Sequence, residues 1–317
     1  MAPEFNPIHL LEGPHHSHFP WCRTLFINDD EKVIVDPGAD IRALTQVNNT
    51  YHISRVFNTH YHFDHIRGNS IFPNSQILIN ELEAECFQDR RNIPKRLGIQ
   101  EVYGEKGIQD WLHYIQQENP PQTPYSPSRN PLWYSASKRL DGTYQDGEVF
   151  TFGRVDMEII NSPGHSEGHC CLLFPRQRVA YTTDIDLTAW GPYYGGSDSN
   201  LDLFITSARS LCFLDVDYYI TGHESGIVSK PEFLQRIESY LAIVDQRETK
   251  ILQALQDPLS LDDLTQRGII YGGPHYVMND PWVFAWEKLS LVQHLTRLFK
   301  QGRIGFLESR FFATEVL

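Results

Sequence analysis

Four times along this chain a short apolar run gives way to a side chain able to hold a metal ion. The densest case follows Ile53–Phe57. There Asn58-Thr59-His60-Tyr61-His62-Phe63-Asp64-His65 sets three imidazoles and a carboxylate within six positions. His165 comes soon after Met157–Ile160, Asp184 directly after Ala180–Thr183, and His223 after Tyr218–Ile220. Strand ends in an α/β sheet suit such a pattern, because loops there project ligands from a rigid base. In an extended or turning segment His60 and His62 project to one side. Asp64 and His65 follow at the turn and can face a second point. Imidazole nitrogens with carboxylate oxygens suit zinc, iron or manganese. Any one of these residues alone reads equally well as a helix cap or a loop hydrogen-bonder. The recurrence of one arrangement favours a metal site.

The rest of the chain is that of a folded globular protein. Its 317 residues are 41% hydrophobic and 21% charged, which excludes wholesale disorder. The net charge of −13 argues against a nucleic-acid surface, which usually rests on basic residues. Five cysteines, two of them adjacent (Cys170, Cys171), imply no disulfide framework and read as buried thiols of a reducing cytosol. No apolar run approaches the ~18 residues of a membrane span. Met1–Phe5 lacks a basic start followed by an apolar stretch, so no secretory signal is expected and a cytoplasmic location is. Strands are predicted at Glu31–Val35, Ile53–Phe57, Gln76–Ile79, Glu148–Phe152, Asp156–Ile160, His169–Phe174, Arg178–Thr182 and Tyr218–Ile220. Asp40 is the predicted N-cap of a helix starting there. A segment over about 81–146 reads as an inserted cap or lid. It has a helix near 105–118, then Pro120, Pro121, Pro124, Pro127 and Pro131 among aromatics, which no central strand or long helix admits. Apolar residues at helical spacing fill Phe233–Leu255, Ser260 with Asp263 forms a capping-box start, and Trp282–Lys300 is a second long helix. The expected division is a catalytic α/β domain over 1–230 and a helical unit over 231–317.

At these residues the sequence resembles the metallo-β-lactamase-fold hydrolases. They are marked by an H-x-H-x-D-H segment, a later His in a P-G-H-(T/S)-x-G-H run, an Asp after a strand and a final G-H. All four occur here in order, and Asp36 in Val35-Asp36-Pro37-Gly38 matches the structural Asp that precedes the main motif. The resemblance implies an αββα sandwich of two mixed sheets flanked by helices, with a small winged-helix-like tail. It implies two divalent metal ions, zinc ahead of iron or manganese. His60, His62 and His165 would hold the first, Asp64, His65 and His223 the second, and Asp184 would bridge them. His169 would be a supporting residue, and Asp36 would orient a ligand. The implied chemistry is attack of a metal-activated hydroxide on an ester, thioester, lactone or amide carbonyl, with Asp64 handling a proton. Two readings on the same fold stand beside it: a mononuclear iron dioxygenase of the persulfide type, and a zinc-dependent phosphodiesterase or nuclease. Electron-transfer relatives usually carry Glu where His62 stands, which weighs against a diiron redox role.

Substrate choice is less legible. Trp190-Gly191-Pro192-Tyr193-Tyr194 follows the bridging Asp and offers Tyr193 and Tyr194 as hydroxyl donors to an oxyanion, or as rings that cover the core. Related lactonases carry a Tyr three residues after that Asp, and here the place holds Leu187. Trp111, Tyr114, Tyr125, Trp133 and Tyr134 of the insertion read either as an apolar wall over the metals or as an oligomer contact. His15-His16-Ser17-His18 reads as an edge before the core. The tail is of mixed charge, so packing is expected of it and not DNA reading. The expected partner is a small-molecule substrate, with room for a homodimer and with neither nucleic acid nor membrane.

Overall fold

In a computed structural model of the chain, the described residues are 3–117 and 139–314. They form two six-stranded mixed sheets with helices on both outer faces, the αββα layering expected above. The first sheet runs β1 (Ile8–Leu11), β2 (Thr24–Asn28), β3 (Lys32–Val35), β4 (Arg55–Asn58), β5 (Gln76–Asn80) and β6 (Gly142–Tyr144) in spatial order. The second holds β7 (Val149–Thr151), β8 (Asp156–Asn161), β9 (Cys170–Phe174), β10 (Val179–Thr183), β11 (Tyr218–Thr221) and β12 (Ile227–Ser229), from one edge to the other.

Both faces of each sheet are covered, so the central strands are apolar at nearly every position. Alternate side chains still part company. Leu25, Ile27, Val33, Val35 and Phe57 enter the core between the sheets, against Met157, Leu172, Val179 and Tyr181. Phe26, Ile34, Val56, Ile77 and Ile79 face the opposite way, into the layer beneath the helices of the first sheet. Ala180 and Tyr219 do the same for the second sheet, meeting Phe204, Phe233 and Ile237.

Strand direction gathers the site. β3 and β4 are parallel, as are β10 and β11, so Asp36, the His60 loop, Asp184 and His223 all leave C-terminal strand ends. The approach there is close. A Cβ at Gly38 would lie 1.8 Å from the Asp64 carbonyl oxygen, and one at Gly222 would lie 2.9 Å from that of Thr183. Glycine is the residue that admits such backbone contact.

Several elements depart from the sequence reading. The polar N-terminus contains β1, an edge strand paired antiparallel with β2. Pro14–Ser17 is one helical turn with His15, His16 and Ser17 at positive φ. The insertion's helix spans Ile99–Tyr114, bent at Gly104, and starts earlier than expected. Its proline-rich part, with Tyr125, Trp133 and Tyr134, lies outside the described residues. β6, β12 and the hairpin β13 (Ile304–Leu307) with β14 (Arg310–Ala313) are too short to show a period in sequence.

After β12, a helix over Lys230–Ala254 packs Phe233, Ile237 and Tyr240 on the second sheet. Its last turns join Leu264, Leu291, Leu295, Leu298 and Ile304 in a separate cluster. The predicted Ser260–Asp263 capping box is present. The helix Pro281–Lys300 starts at an Asp280 cap and sends Trp282, Val283 and Trp286 into the core under the first sheet. No helix of the described residues is long and apolar enough to cross a membrane.

Candidate metal centre

The sequence-predicted ligands converge. His60, His62 and His165 form one group of donor atoms, and Asp64, His65, Asp184 and His223 a second. Asp184 touches both. Its Oδ2 lies 3.0 Å from His65 Nε2 and 3.6 Å from His60 Nε2. Its Oδ1 lies 3.3 Å from His223 Nε2 and 3.6 Å from His165 Nε2. Asp64 Oδ2 is 3.4 Å from His223 Nε2 and 3.7 Å from His65 Nε2. His62 Nδ1 and His165 Nε2 are 2.8 Å apart. Local geometry produces this aim. His62 is the extended N-cap of the short helix Phe63–Ile66, whose first turn carries Asp64 and His65, the His65 ring centre 4.2 Å from that of His60.

Electrostatics suit these groups to a cation. Burial holds His60, His62 and His165 below the usual imidazole range, His62 at about 3, so they stay neutral with a lone pair to give. Burial alone would raise Asp184, but His65, His165, His60 and His223 keep its carboxyl well below the usual range. Burial works against a charge on His223, yet Asp184 and Asp64 raise it to about 9. Buried donor atoms of the first group, among them His60 Nε2 and His62 Nε2, have no hydrogen-bond partner. Buried polar atoms are rarely left so, and a shared cation would satisfy both. The donor set therefore fits divalent metal.

Supporting residues fix the ligands. Asp36 accepts Thr59 N–H and Thr59 Oγ1–H at 2.7 Å each and sits 2.9 Å from His65 Nδ1, which turns His65 Nε2 towards Asp184. Ser17 and Trp21 carbonyls, each at 3.0 Å, do the same for His223 Nδ1. His169 faces the Ser162 carbonyl and Thr183 Oγ1, and its ring also falls in a group of donor atoms with His60 and Asp184. Asp36→Asn keeps the shape but weakens this orientation. It is expected to lower metal affinity about 10–100-fold by competition titration, with the fold intact.

Glu83 escaped the sequence reading, since nothing distinguishes it within Glu81-Leu82-Glu83-Ala84-Glu85. It is fully buried and accepts Tyr61 N–H at 2.7 Å, Ser166 Oγ–H at 2.5 Å and Gly168 N–H at 3.1 Å. It thereby ties the His60–His62 loop to the His165 loop.

The two tyrosines part. Tyr193 lines the cavity over the donor groups, its ring centre 5.7 Å from that of His62 and 5.3 Å from that of His165. Tyr194 does not line this cavity and takes the other place the sequence allowed it, in the core. Its hydroxyl lies 2.7 Å from His294 Nε2 and accepts Arg247 at 2.7 Å, under the C-terminal helices. Leu187 packs in the core of the second sheet. His18 faces Glu224 at the cavity mouth.

The fold matches one known architecture. A metallo-β-lactamase family protein from Thermus thermophilus matches with a TM-score of 0.67 at 18% identity, covering 96% of this chain and 98% of that one. A β-lactamase domain protein from Burkholderia ambifaria matches with a TM-score of 0.65 at 18% identity, covering 96% and 92%. The sequence model of the metallo-β-lactamase superfamily matches residues 22–85, the stretch holding Asp36 and the His60–His65 motif. The chain has the metallo-β-lactamase fold. Among curated proteins, this metallo-β-lactamase-fold chain is similar to acyl-coenzyme A thioesterase MBLAC2 of Homo sapiens, 24% identical over 149 residues, which is 44% of this chain and 45% of that protein. The Bos taurus protein of the same name is 22% identical over 192 residues, 53% and 61% of the two chains. The match thus spans about half the length of these relatives.

Proposed function

We propose that this chain is a metal-dependent hydrolase that attacks the carbonyl carbon of an ester, thioester, lactone or amide. The observation that carries the reading is Asp184, whose carboxylate lies within 3.6 Å of imidazole nitrogens of both donor groups and lines a cavity of about 410 Å³. The proposed ligands are those read from sequence: His60, His62 and His165 for one cation, Asp64, His65 and His223 for another, with Asp184 common to both. Divalent cations supply Lewis acidity, lowering the pKa of water and polarising a carbonyl oxygen. The chain's own residues do the rest. Asp64 orients the attacking water and accepts its proton at a carboxylate oxygen. Tyr193, whose hydroxyl burial keeps protonated, donates a hydrogen bond to the developing oxyanion. Aromatic walls exclude competing water. We place thioesters first within this class, because the curated relatives are named thioesterases. We further propose that residues after 230 complete the site, since Tyr271 and Trp286 reach the cavity.

A phosphodiester is the poorer fit, because no Lys or Arg lines the cavity among the described residues. A single-iron site is also the poorer fit, because Asp64, His65 and His223 form a full second group. The test is a panel of thioesters, esters, lactones and phosphodiesters, with metal analysis of protein purified without chelators. The expected result is carbonyl-substrate turnover that a chelator abolishes and zinc, iron or manganese restores. Tyr193→Phe is expected to lower kcat about 100-fold with little change in KM. Turnover of phosphodiesters alone, or activity indifferent to chelation, would overturn the assignment.

A further inference from the structure

We infer that Glu287 is a positioning residue for substrate binding: it holds the loop between Gly268 and Gly273 so that Tyr271 forms a fixed part of the cavity wall. This deepens the hydrolase reading and rests on it. The loop has little conformational preference of its own. Gly268 and Gly273 have φ of 62° and 136°, and a Cβ at Gly268 would lie 2.3 Å from the Gly273 carbonyl oxygen. Glycine admits that closure, at the cost of a backbone that few local forces restrain. Gly273 N–H donates to the Gly268 carbonyl at 2.7 Å and pins the base of the loop. Its middle is pinned from a different element. Glu287, on the helix Pro281–Lys300, accepts Ile270 N–H at 3.1 Å on each carboxyl oxygen and Tyr271 N–H at 3.0 Å on Oε2.

Glu287 is fully buried. Burial pushes its carboxyl up to about 7, against the pull of the loop's N–H groups and of Arg247. The pairing does not depend on charge, because the protonated acid keeps an acceptor oxygen for the same N–H groups. A leucine would fill the place without the cost of burying an acid, so packing alone does not account for the residue. What the acid supplies is a fixed direction for the loop. Without its oxygens two buried N–H groups lack acceptors, and the loop must open to water to satisfy them. Tyr271 would move with it. The Tyr271 ring centre lies 5.4 Å from that of Trp190, which lies 6.4 Å from that of Tyr193 over the donor groups. A row of three rings thus runs from the loop towards the proposed metal site. The end of the row at Tyr271 meets the part of a substrate that does not react, and such a surface gains free energy by taking an apolar acyl chain out of water. Trp286, next to Glu287 in sequence, lines the same cavity, so this helix supplies one wall residue and the anchor of another.

The test uses the metal-loaded full chain with the S-octanoyl and S-acetyl thioesters of N-acetylcysteamine. Glu287→Leu is expected to raise KM for the octanoyl thioester about tenfold, with kcat and the acetyl KM changed by less than about threefold and metal content unchanged. Glu287→Gln keeps an amide oxygen for the loop and should bring the octanoyl KM back to within about threefold of the parent. Tyr271→Ala should give the same selective rise, and adding Glu287→Leu to it should change KM by less than about twofold further, because both act through one ring. Should Glu287→Leu not fold, Glu287→Gln alone and combined with Tyr271→Ala carries the same comparison. Hydrogen exchange gives a readout apart from activity: the Ile270 and Tyr271 amides should exchange faster in Glu287→Leu than in the parent, with Glu287→Gln between them. A residue that only stabilised the fold would lower kcat for both thioesters alike. That outcome, independent effects in the double variant, or unmoved exchange would overturn the inference. Calorimetry with S-octyl-N-acetylcysteamine, a thioether that cannot be hydrolysed, separates the two readings. Absence of all turnover, with thioether binding weakened in Glu287→Leu, would overturn the hydrolase reading and leave the role of Glu287 standing.

Discussion

Asp184→Ala is expected to strip metal from both donor groups and take hydrolysis to background. Its carboxylate lies within 3.6 Å of imidazole nitrogens from both groups. Its loss removes a shared oxygen donor and leaves those imidazoles crowded with one negative charge fewer. His62→Ala is the matched control. It removes a donor from the His60, His62 and His165 group only, and should cost about one ion per chain while still abolishing turnover. Metal analysis of both variants, alongside circular dichroism to show folding, decides the matter. Full metal and full activity in either variant would remove the basis of the assignment.

Arg247→Met should produce the largest loss of stability away from the metal centre. Arg247 is 4% exposed and donates to the carbonyls of Trp190 and Pro192 and to Tyr194 Oη, each at 2.7 Å. Its guanidinium carbon also lies 4.5 Å from the Trp190 ring centre. Methionine fills much of the volume but leaves buried oxygens without donors, at a cost of about 3 kcal/mol. For a chain of this length that lowers Tm by about 4–5 °C. Because Arg247 fixes the loop bearing Trp190 and Tyr193, KM should rise as well. A thermal melt unchanged within error would show that this network does not hold the loop.

The donor residues were legible for a definite reason. His60, His62, Asp64, His65, Asp184 and His223 each follow closely on a short apolar strand. Individual strands were legible in the same way, through runs such as Glu31–Val35 and Arg178–Thr182, whereas the two-sheet sandwich was expected from the family resemblance. Both signals are local, carried by residue type and spacing within a few positions.

Tyr193 and Tyr194 mark the limit of that reading. Adjacent in sequence and identical in chemistry, they point to different places. Arg247 and His294, far along the chain, claim the Tyr194 hydroxyl and leave Tyr193 to the cavity. Glu83 is a similar case, one glutamate among three until Tyr61, Ser166 and Gly168 close around it. Asp186 and Trp286 became cavity residues only when a loop and a distant helix met. The amino-acid order alone determined which side chains could bind metal and which runs would become strands, because ligand chemistry and strand periodicity act over a few residues. Which of two like neighbours faces the cavity, and what its walls are made of, was decided by long-range packing. There each hydroxyl, carboxylate and ring goes where a partner remote in sequence satisfies it.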